Sequence, residues 1–296
     1  MIAMNEPSAI RIALLGSGGM LGRTLEAAGR ARGYHVRSFD GPDALDITDP
    51  EAFDALNDGT EAPDIVLNAT AWTDVDGAES NEPEAARVNA EAPGALAAWC
   101  AARHALFVHY STDYVFDGQA SAPIQVSAPT APLNAYGRTK RDGEDAVQAS
   151  GADHLILRTS WLFAPHGSNF VRTMVQLGRE RDVLNVVDDQ WGRPTSCATL
   201  SDLTFELIAR EARGIWHACN DGQTTWCGFA RAIMGLAGLD CRVDACGTDA
   251  FPRPAERPAY GVLDLAETQR RVGVIPTWQS ALEACLREMG QVRSTV

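Results

Sequence analysis

The sequence predicts an α/β protein built on a doubly wound parallel sheet, with a smaller C-terminal part interleaved with it, and three observations lead there. Short apolar, β-branched runs alternate with helical patterns through the first 160 residues, the rhythm of βαβ units. The first of these runs is followed at once by a glycine turn and a helix. After Trp161 the pattern gives way to loops rich in Gly, Pro and polar residues, and a last strand near Gly214 to Cys219 returns to the sheet. The expected division is residues 1–160 for the sheet, with a later strand and helix contribution near 195–220, and residues 161–296 mainly for the second part.

Residues 10 to 15, Ile-Arg-Ile-Ala-Leu-Leu, read as the first strand. Gly16-Ser-Gly-Gly19-Met-Leu-Gly22 follows, and a helical pattern then runs through Ala31. This spacing lets the backbone turn tightly, approach a pyrophosphate and pack the helix on the sheet, with the helix N-terminus facing the phosphates. The arrangement is Rossmann-like, with Gly16, Gly19 and Gly22 as the cradle for a dinucleotide. The second strand, His35 to Phe39, ends at Asp40, 18 residues beyond Gly22. A carboxylate there accepts from an adenosine ribose; the competing reading makes Asp40 a turn residue before Gly41-Pro42.

Asp64 to Asn68 reads as a buried parallel strand, followed by the small residues Ala69-Thr-Ala71 and a helix over about Pro83 to Arg103. Ala105 to Tyr110 is the next strand, with Ser111-Thr112-Asp113 at its carboxyl end, where open α/β sheets bind ligands. Thr112 either orients a substrate carbonyl or caps a turn, and His109, inside the apolar run, reads as a satisfied core histidine. The stretch Tyr136 to Lys140 carries the strongest local signal, because Lys140 is the only lysine in the chain beside 24 arginines. On a helix the two residues share a face. A cation held there is expected to lower the tyrosine pKa towards neutrality, as a proton donor or acceptor requires. Leu155 to Ser160 is the following strand. Helices are expected at about 168–181, 199–213 and 226–238, and Arg193, Arg253 and Arg257, each followed by proline, either meet a substrate diphosphate or stay solvated.

Composition limits the partners. The 296 residues are 45% hydrophobic and carry a formal charge of −14, which disfavours a nucleic-acid or anionic-membrane surface. Seven scattered cysteines without a C-x-x-C pair read as reduced thiols in a cytoplasmic protein. Met1 to Ser8 has no secretory pattern, and no run approaches the ~18 apolar residues of a membrane span.

Seven stretches together resemble the extended short-chain dehydrogenase/reductases, and among them the dTDP-4-dehydrorhamnose reductase family. They are the glycine turn, Asn68-Ala-Thr-Ala-Trp-Thr73-Asp-Val75-Asp-x-Ala-Glu79, Ser111-Thr-Asp-Tyr-Val-Phe-Asp-Gly118, Pro132-Leu-Asn-x-Tyr136-Gly-x-Thr-Lys140-x-x-Gly-Glu144, Arg158-Thr-Ser-Trp161, Asp189-Gln-x-Gly192-x-Pro-Thr195, and Arg257-Pro258 with the later Trp278. The resemblance implies a catalytic set of Thr112, Tyr136 and Lys140. It implies cofactor contacts at Gly16, Gly19, Met20, Leu21, Gly22, Asp40, Asp46, Ile47, Ala71, Trp72, Thr73, Tyr110, Tyr136 and Lys140. Substrate contacts are implied at Val75, Thr112, Asp113 and Trp161.

The implied reaction is hydride transfer from NADPH or NADH to C4 of a dTDP-4-keto-6-deoxyhexose, giving dTDP-L-rhamnose for cell-surface polysaccharide. The absence of a lysine for a 2′-phosphate, with Asp40 at the strand end, leans towards acceptance of NADH, while Arg37 offers a phosphate partner. The partners are a small sugar nucleotide and no nucleic acid or membrane; a homodimer is compatible with the resemblance, and magnesium is neither required nor excluded by the residues. Two departures bear on the hexose. Val126-Ser127-Ala128 stands where the family commonly has an acidic stretch, and Gly261 where it usually has serine. A dehydratase would carry Glu after Asp113, where this chain has Tyr114, and Trp161 separates a sugar-nucleotide reductase from a regulatory subunit like that of methionine adenosyltransferase.

Overall fold

The computed structural model describes residues 10–59 and 61–292; Met1 to Ser8, read above as lacking a targeting signal, lie outside the described residues. Strand β1 (Arg11–Leu15) leads through the glycine turn into helix α1 (Met20–Ala31), then β2 (His35–Phe39) and β3 (Ile65–Asn68). A helical region follows as α2 (Val75–Ala78), α3 (Glu82–Ala86), a π-helical turn at Arg87–Glu91 and α4 (Ala92–Ala101). Strand β4 (Leu106–Thr112), helix α5 (Ala135–Ala149) and β5 (His154–Thr159) complete the first half.

The second half runs β6 (Leu162–Phe163), α6 (Phe170–Glu180), β7 (Val183–Val187), β8 (Trp191–Gly192), β9 (Thr195–Ser196) and α7 (Cys197–Ala209). It continues with β10 (Gly214–His217), β11 (Thr224–Thr225), α8 (Trp226–Ala237), β12 (Arg242–Cys246), α9 (Ala266–Val272) and α10 (Trp278–Glu288).

The central sheet has six strands in the order β10-β5-β4-β3-β1-β2, and every pairing is parallel. The chain steps from β1 outward to β2, then returns to the other side of β1 with β3. That reversal opens a crevice outside the carboxyl ends of β1 and β3, the place where such sheets take ligands. Side chains alternate across the sheet with period two. Ile12 and Leu14 join Leu25, Leu200 and Phe205 on one face, while Ala13 and Leu15 join Leu96, Phe107 and Ile156 on the other. A separate apolar cluster, containing Phe163, Val175, Phe229, Ile233 and Trp278, holds α6, α8 and α10 together around the parallel pair β7 and β12.

Two expectations are adjusted. The strand expected to stop at Tyr110 runs on to Thr112, because Ser111 and Thr112 continue the ladder against Arg158 and Thr159 of β5. The helix expected over 83–103 is interrupted by the π turn, a feature that re-aims side chains and often marks a functional site. The β7/β12 pair, α9 and α10 have no counterpart among the elements read from sequence. Among the described residues, no helix is long and apolar enough to cross a membrane.

The third glycine of the turn is fixed by contact. A Cβ at Gly22 would fall 2.0 Å from the carbonyl oxygen of Gly16, a backbone atom of the same turn. Gly22→Ala therefore forces the turn and α1 apart, and is expected to destabilise the protein by about 1–3 kcal/mol in chemical denaturation. Unchanged stability would mean that the close approach is not required.

Candidate active site

The glycine turn fits a dinucleotide. A Cβ at Gly16, which has φ of +74°, would lie 3.0 Å from the Ala69 carbonyl oxygen, so the loops leaving β1 and β3 touch at the crevice. Gly19 caps α1 without any side-chain hydrogen bond, which leaves the first-turn N–H groups of Met20, Leu21 and Gly22 free for an anion. Asp40 accepts from the Gly18 N–H at 3.0 Å, and Arg23 donates through Nε to the Gly18 carbonyl at 2.9 Å. Carboxylate and guanidinium thus flank one turn. Arg37 is turned away, donating to the carbonyls of Leu56 and Asn57.

Further along, Asp46 accepts from the Thr48 N–H and hydroxyl, both at 2.8 Å, and these bonds hold its carboxyl below the usual range. Ile47 is buried in the core beside Phe39 and Phe53. Ala71, Trp72 and Thr73 lie in the loop leaving β3, with Val75 opening α2. Asn89 of the π turn fixes that loop. It accepts from the Trp72 N–H at 2.9 Å, donates to the Trp72 carbonyl at 3.2 Å and donates to Thr139 Oγ1 of α5 at 3.1 Å. Nothing in the helical pattern of residues 83–103 distinguished Asn89; its fully buried amide in a π turn is visible only in three dimensions.

Helix α5 starts where it does because Asn134 accepts from the Gly137 N–H at 2.8 Å and Glu79 accepts from the Ala135 N–H at 2.7 Å. Its glycine Gly143 comes so close to the π turn that a Cβ would meet the Asn89 carbonyl oxygen at 2.1 Å. Glu144 then forms a buried pair with Arg158 of β5 at 2.6 Å, which accounts for both residues in the sequence pattern.

The helix so placed buries Lys140 to 2% exposure and sets Tyr136 against the end of β4. Tyr136 stands beside Thr112. Burial pushes the Tyr136 phenol up to about 12, with the neighbouring Thr112 hydroxyl acting the other way and Asp113 adding to the rise. Lys140 does not lower it, which corrects the expectation from the i, i+4 spacing. The Lys140 Nζ is instead bonded to the Tyr110 carbonyl at 2.6 Å and to His109 Nε2 at 3.1 Å. Tyr110 therefore presents its carbonyl at the strand end, while its phenol is buried against Thr204 at 3.2 Å. His109 is a satisfied core histidine, as read from sequence, but its partner is the lysine.

Thr112 Oγ1 donates to Asp113 Oδ1 at 3.1 Å and accepts from the Tyr114 N–H at 3.2 Å. Asp113 is 2% exposed, and its Oδ2 has no hydrogen-bond partner among the described residues. Burial pushes this carboxyl up to about 7. A Cβ at Gly261 would approach Oδ2 to 2.3 Å, so this glycine permits the carboxylate's position. A serine here would put its side chain against that oxygen.

Tyr114 meets Tyr136 edge-on, with ring centroids 5.8 Å apart, and also lines a cleft of 1210 Å³. Phe170, Trp226, Gln190, Arg253 and Arg257 line the same cleft. Both arginines are bonded to Asp76, whose carboxyl is held at about 2 chiefly by Arg257. Arg193, expected as a diphosphate candidate, is buried and donates to Leu263, Asp221 and Gly222, so it serves the fold. Trp161, expected to meet the sugar nucleotide, stands one ring behind the cleft. With φ of +49° its ring stacks on Trp226 at 3.6 Å, and Trp226 is the indole that lines the cleft. Trp161 was legible as an aromatic at the sheet edge, whereas its partner 65 residues later was not.

A family model described as the RmlD substrate binding domain matches residues 10–291. The chain belongs to the RmlD substrate-binding-domain family. It is 42% identical over 265 residues, 83% of this chain and 89% of the relative, to a dTDP-4-dehydrorhamnose reductase of Burkholderia thailandensis. It is 41% identical to a dTDP-4-keto-6-deoxy-D-glucose reductase of Streptomyces niveus, with 90% and 93% of the two chains covered. Among solved structures, a dTDP-4-dehydrorhamnose reductase of Bacillus anthracis in complex with NADP superposes with a TM-score of 0.90 at 32% identity, covering 94% of this chain and 99% of that one.

All seven cysteines are free thiols, and among the described residues no group of three or more His, Cys, Asp or Glu is placed to hold a metal ion. In this RmlD family member, Asp113 generates a pH-dependence with a definite sign. Its native pKa is raised above the unfolded value, so its contribution to stability is full below about pH 4 and is lost as pH rises through about 7. Thermal melts of the ligand-free protein at pH 5 and pH 8 should show a smaller loss of Tm for Asp113→Asn than for wild type. An equal loss would assign the dependence to other groups.

Proposed function

We propose that the chain reduces the C4 ketone of a dTDP-4-keto-6-deoxyhexose, namely dTDP-4-dehydro-L-rhamnose to dTDP-L-rhamnose, with NADPH or NADH as reductant. The observation that carries this reading is the half-buried Tyr136 set beside the buried Thr112 at the carboxyl end of β4. Through Asn68 and Thr70 that strand end reaches the glycine turn, and through Tyr114 it reaches the cleft. Residues 161–296 then supply most substrate contacts, and residues 1–160 with 195–220 hold the dinucleotide.

Each group has a part. A bound nicotinamide supplies the hydride. Tyr136, kept protonated by burial, gives its proton to the oxygen as the alkoxide forms, which suits ketone reduction and not the removal of a proton from a sugar carbon. Thr112 holds the carbonyl in line with that phenol. Asp113 accepts from a sugar hydroxyl through Oδ2, the oxygen without a protein partner. Arg253 and Arg257 face the diphosphate in exchange for Asp76, and the Trp226 face, backed by Trp161, receives a flat ring. Asp40 and Arg23 on either side of Gly18 suit a ribose hydroxyl and a 2′-phosphate respectively, which is why both cofactors are accepted.

Tyr136→Phe removes only the phenolic proton. Its kcat with dTDP-4-keto-6-deoxyhexose should fall by roughly 10²–10⁴-fold, while the dissociation constant for the nicotinamide cofactor stays near wild type. Wild-type turnover in this variant would remove Tyr136 from the chemistry.

A further inference from the structure

The polarity of one buried hydrogen-bond chain selects the protonation state of Lys140 that its partners fit. The chain begins at Thr70, whose backbone N–H can only donate and does so to Asn68 Oδ1 at 3.2 Å, alongside the Thr70 hydroxyl at 2.5 Å. The amide of Asn68 is therefore oriented with its Nδ2 towards His109. That nitrogen lies 3.3 Å from His109 Nδ1, and an amide nitrogen only donates. Nδ1 is then an acceptor. A neutral imidazole has one N–H, so the proton is on Nε2, 3.1 Å from Lys140 Nζ. An ammonium there would set two donors face to face.

We infer that in the ligand-free protein the site of Lys140 is built for the neutral amine, which accepts a hydrogen bond from His109 Nε2–H while donating to the Tyr110 carbonyl, and that His109 is the positioning residue for this lysine.

The surroundings agree. Lys140 Nζ has these two partners and both are uncharged. Burial brings the Lys140 ammonium down to about 8, with Glu144 opposing. Glu144, one turn further along α5, is the carboxylate that favours the ammonium, but Arg158 of β5 holds it by bonds of 2.9 and 2.6 Å. From β3 only the neutral Asn68 reaches His109. Tyr110 directs its phenol elsewhere, Tyr136 stays protonated, and the nearest strand-end acid, Asp113, is itself pushed up to about 7. Burial holds His109 far below its ordinary range, so a doubly protonated ring does not arise.

The consequence deepens the reductase reading and rests on the proton transfer given there to Tyr136. Each turnover breaks the Tyr136 O–H bond and puts that proton on the substrate oxygen, and one proton from solvent must restore the phenol. A group that titrates within the working pH range can take up and release a proton; a permanent cation cannot. That difference gives a physical reason for a lone lysine at a position that arginine, always protonated, would leave fixed.

Lys140 being the only lysine, protein grown with [ε-¹³C]lysine gives a single reporter signal, and its titration in the ligand-free state needs no turnover. The expected midpoint is near pH 8. His109→Gln, which offers a carbonyl oxygen to an ammonium, should raise it by about one unit or more, the scale of adding one hydrogen bond to the charged form. Melting curves establish that the variant is folded. A wild-type midpoint at the ordinary value of about 10.4, measurable even if the variant does not fold, overturns the neutral amine. A midpoint near 8 that His109→Gln leaves unmoved or lowers overturns the role of His109. Inactivity towards the sugar nucleotide would count against the reductase reading and leave the titration standing.

Discussion

Helix α5 is held to the sheet by a buried amine, and most of the site follows from that bond. Lys140 Nζ reaches the Tyr110 carbonyl at 2.6 Å, inside a strand whose seven residues are all buried. One turn earlier on the same helix, Tyr136 is thereby brought to Thr112, the last residue of β4. A buried polar group left without its partner costs more than the bond itself contributes. The contact therefore orients the helix more than it stabilises the fold. The other constraints on α5 act in the same sense: Asn134 and Glu79 at its start, Gly143 against the π turn, and Glu144 on Arg158.

The close approaches are made by residues that add nothing of their own. Gly16 admits the loop after β3, Gly22 admits the turn to α1, Gly143 admits the π turn, and Gly261 admits the Asp113 carboxylate. Each leaves a backbone or carboxylate oxygen where a methyl group would otherwise lie. Rigid placement of this kind is what orientation of a substrate requires.

Much of this was legible in the sequence, for definable reasons. The strands of the large sheet are continuous apolar runs, and the glycine turn, Asp40 and the Tyr136-to-Lys140 spacing are local patterns, so a linear reading finds them. What it missed depends on residues distant in the chain. Trp226 lines the cleft with Trp161 stacked on it, a pairing of indoles 65 residues apart. Arg193 is drawn into the interior by Leu263, Asp221 and Gly222. Asn89 is one unremarkable polar residue in a helical stretch until the π turn points it at Trp72 and Thr139. The direction of the tyrosine pKa was misjudged for a related reason: i, i+4 spacing gives a shared helix face but not what the lysine faces, which is a carbonyl and an imidazole.

The central claim is that this strand end and helix deliver a hydride and a proton to one carbonyl. Its most direct test is to supply nicotinamide cofactor deuterated at the transferable position of its C4, with dTDP-4-keto-6-deoxyhexose, and to locate the label in the product by NMR. One deuterium is expected at C4 of the sugar, with cofactor oxidised in equal amount. Product without label at C4, or no oxidation of the cofactor by the folded protein, would contradict it.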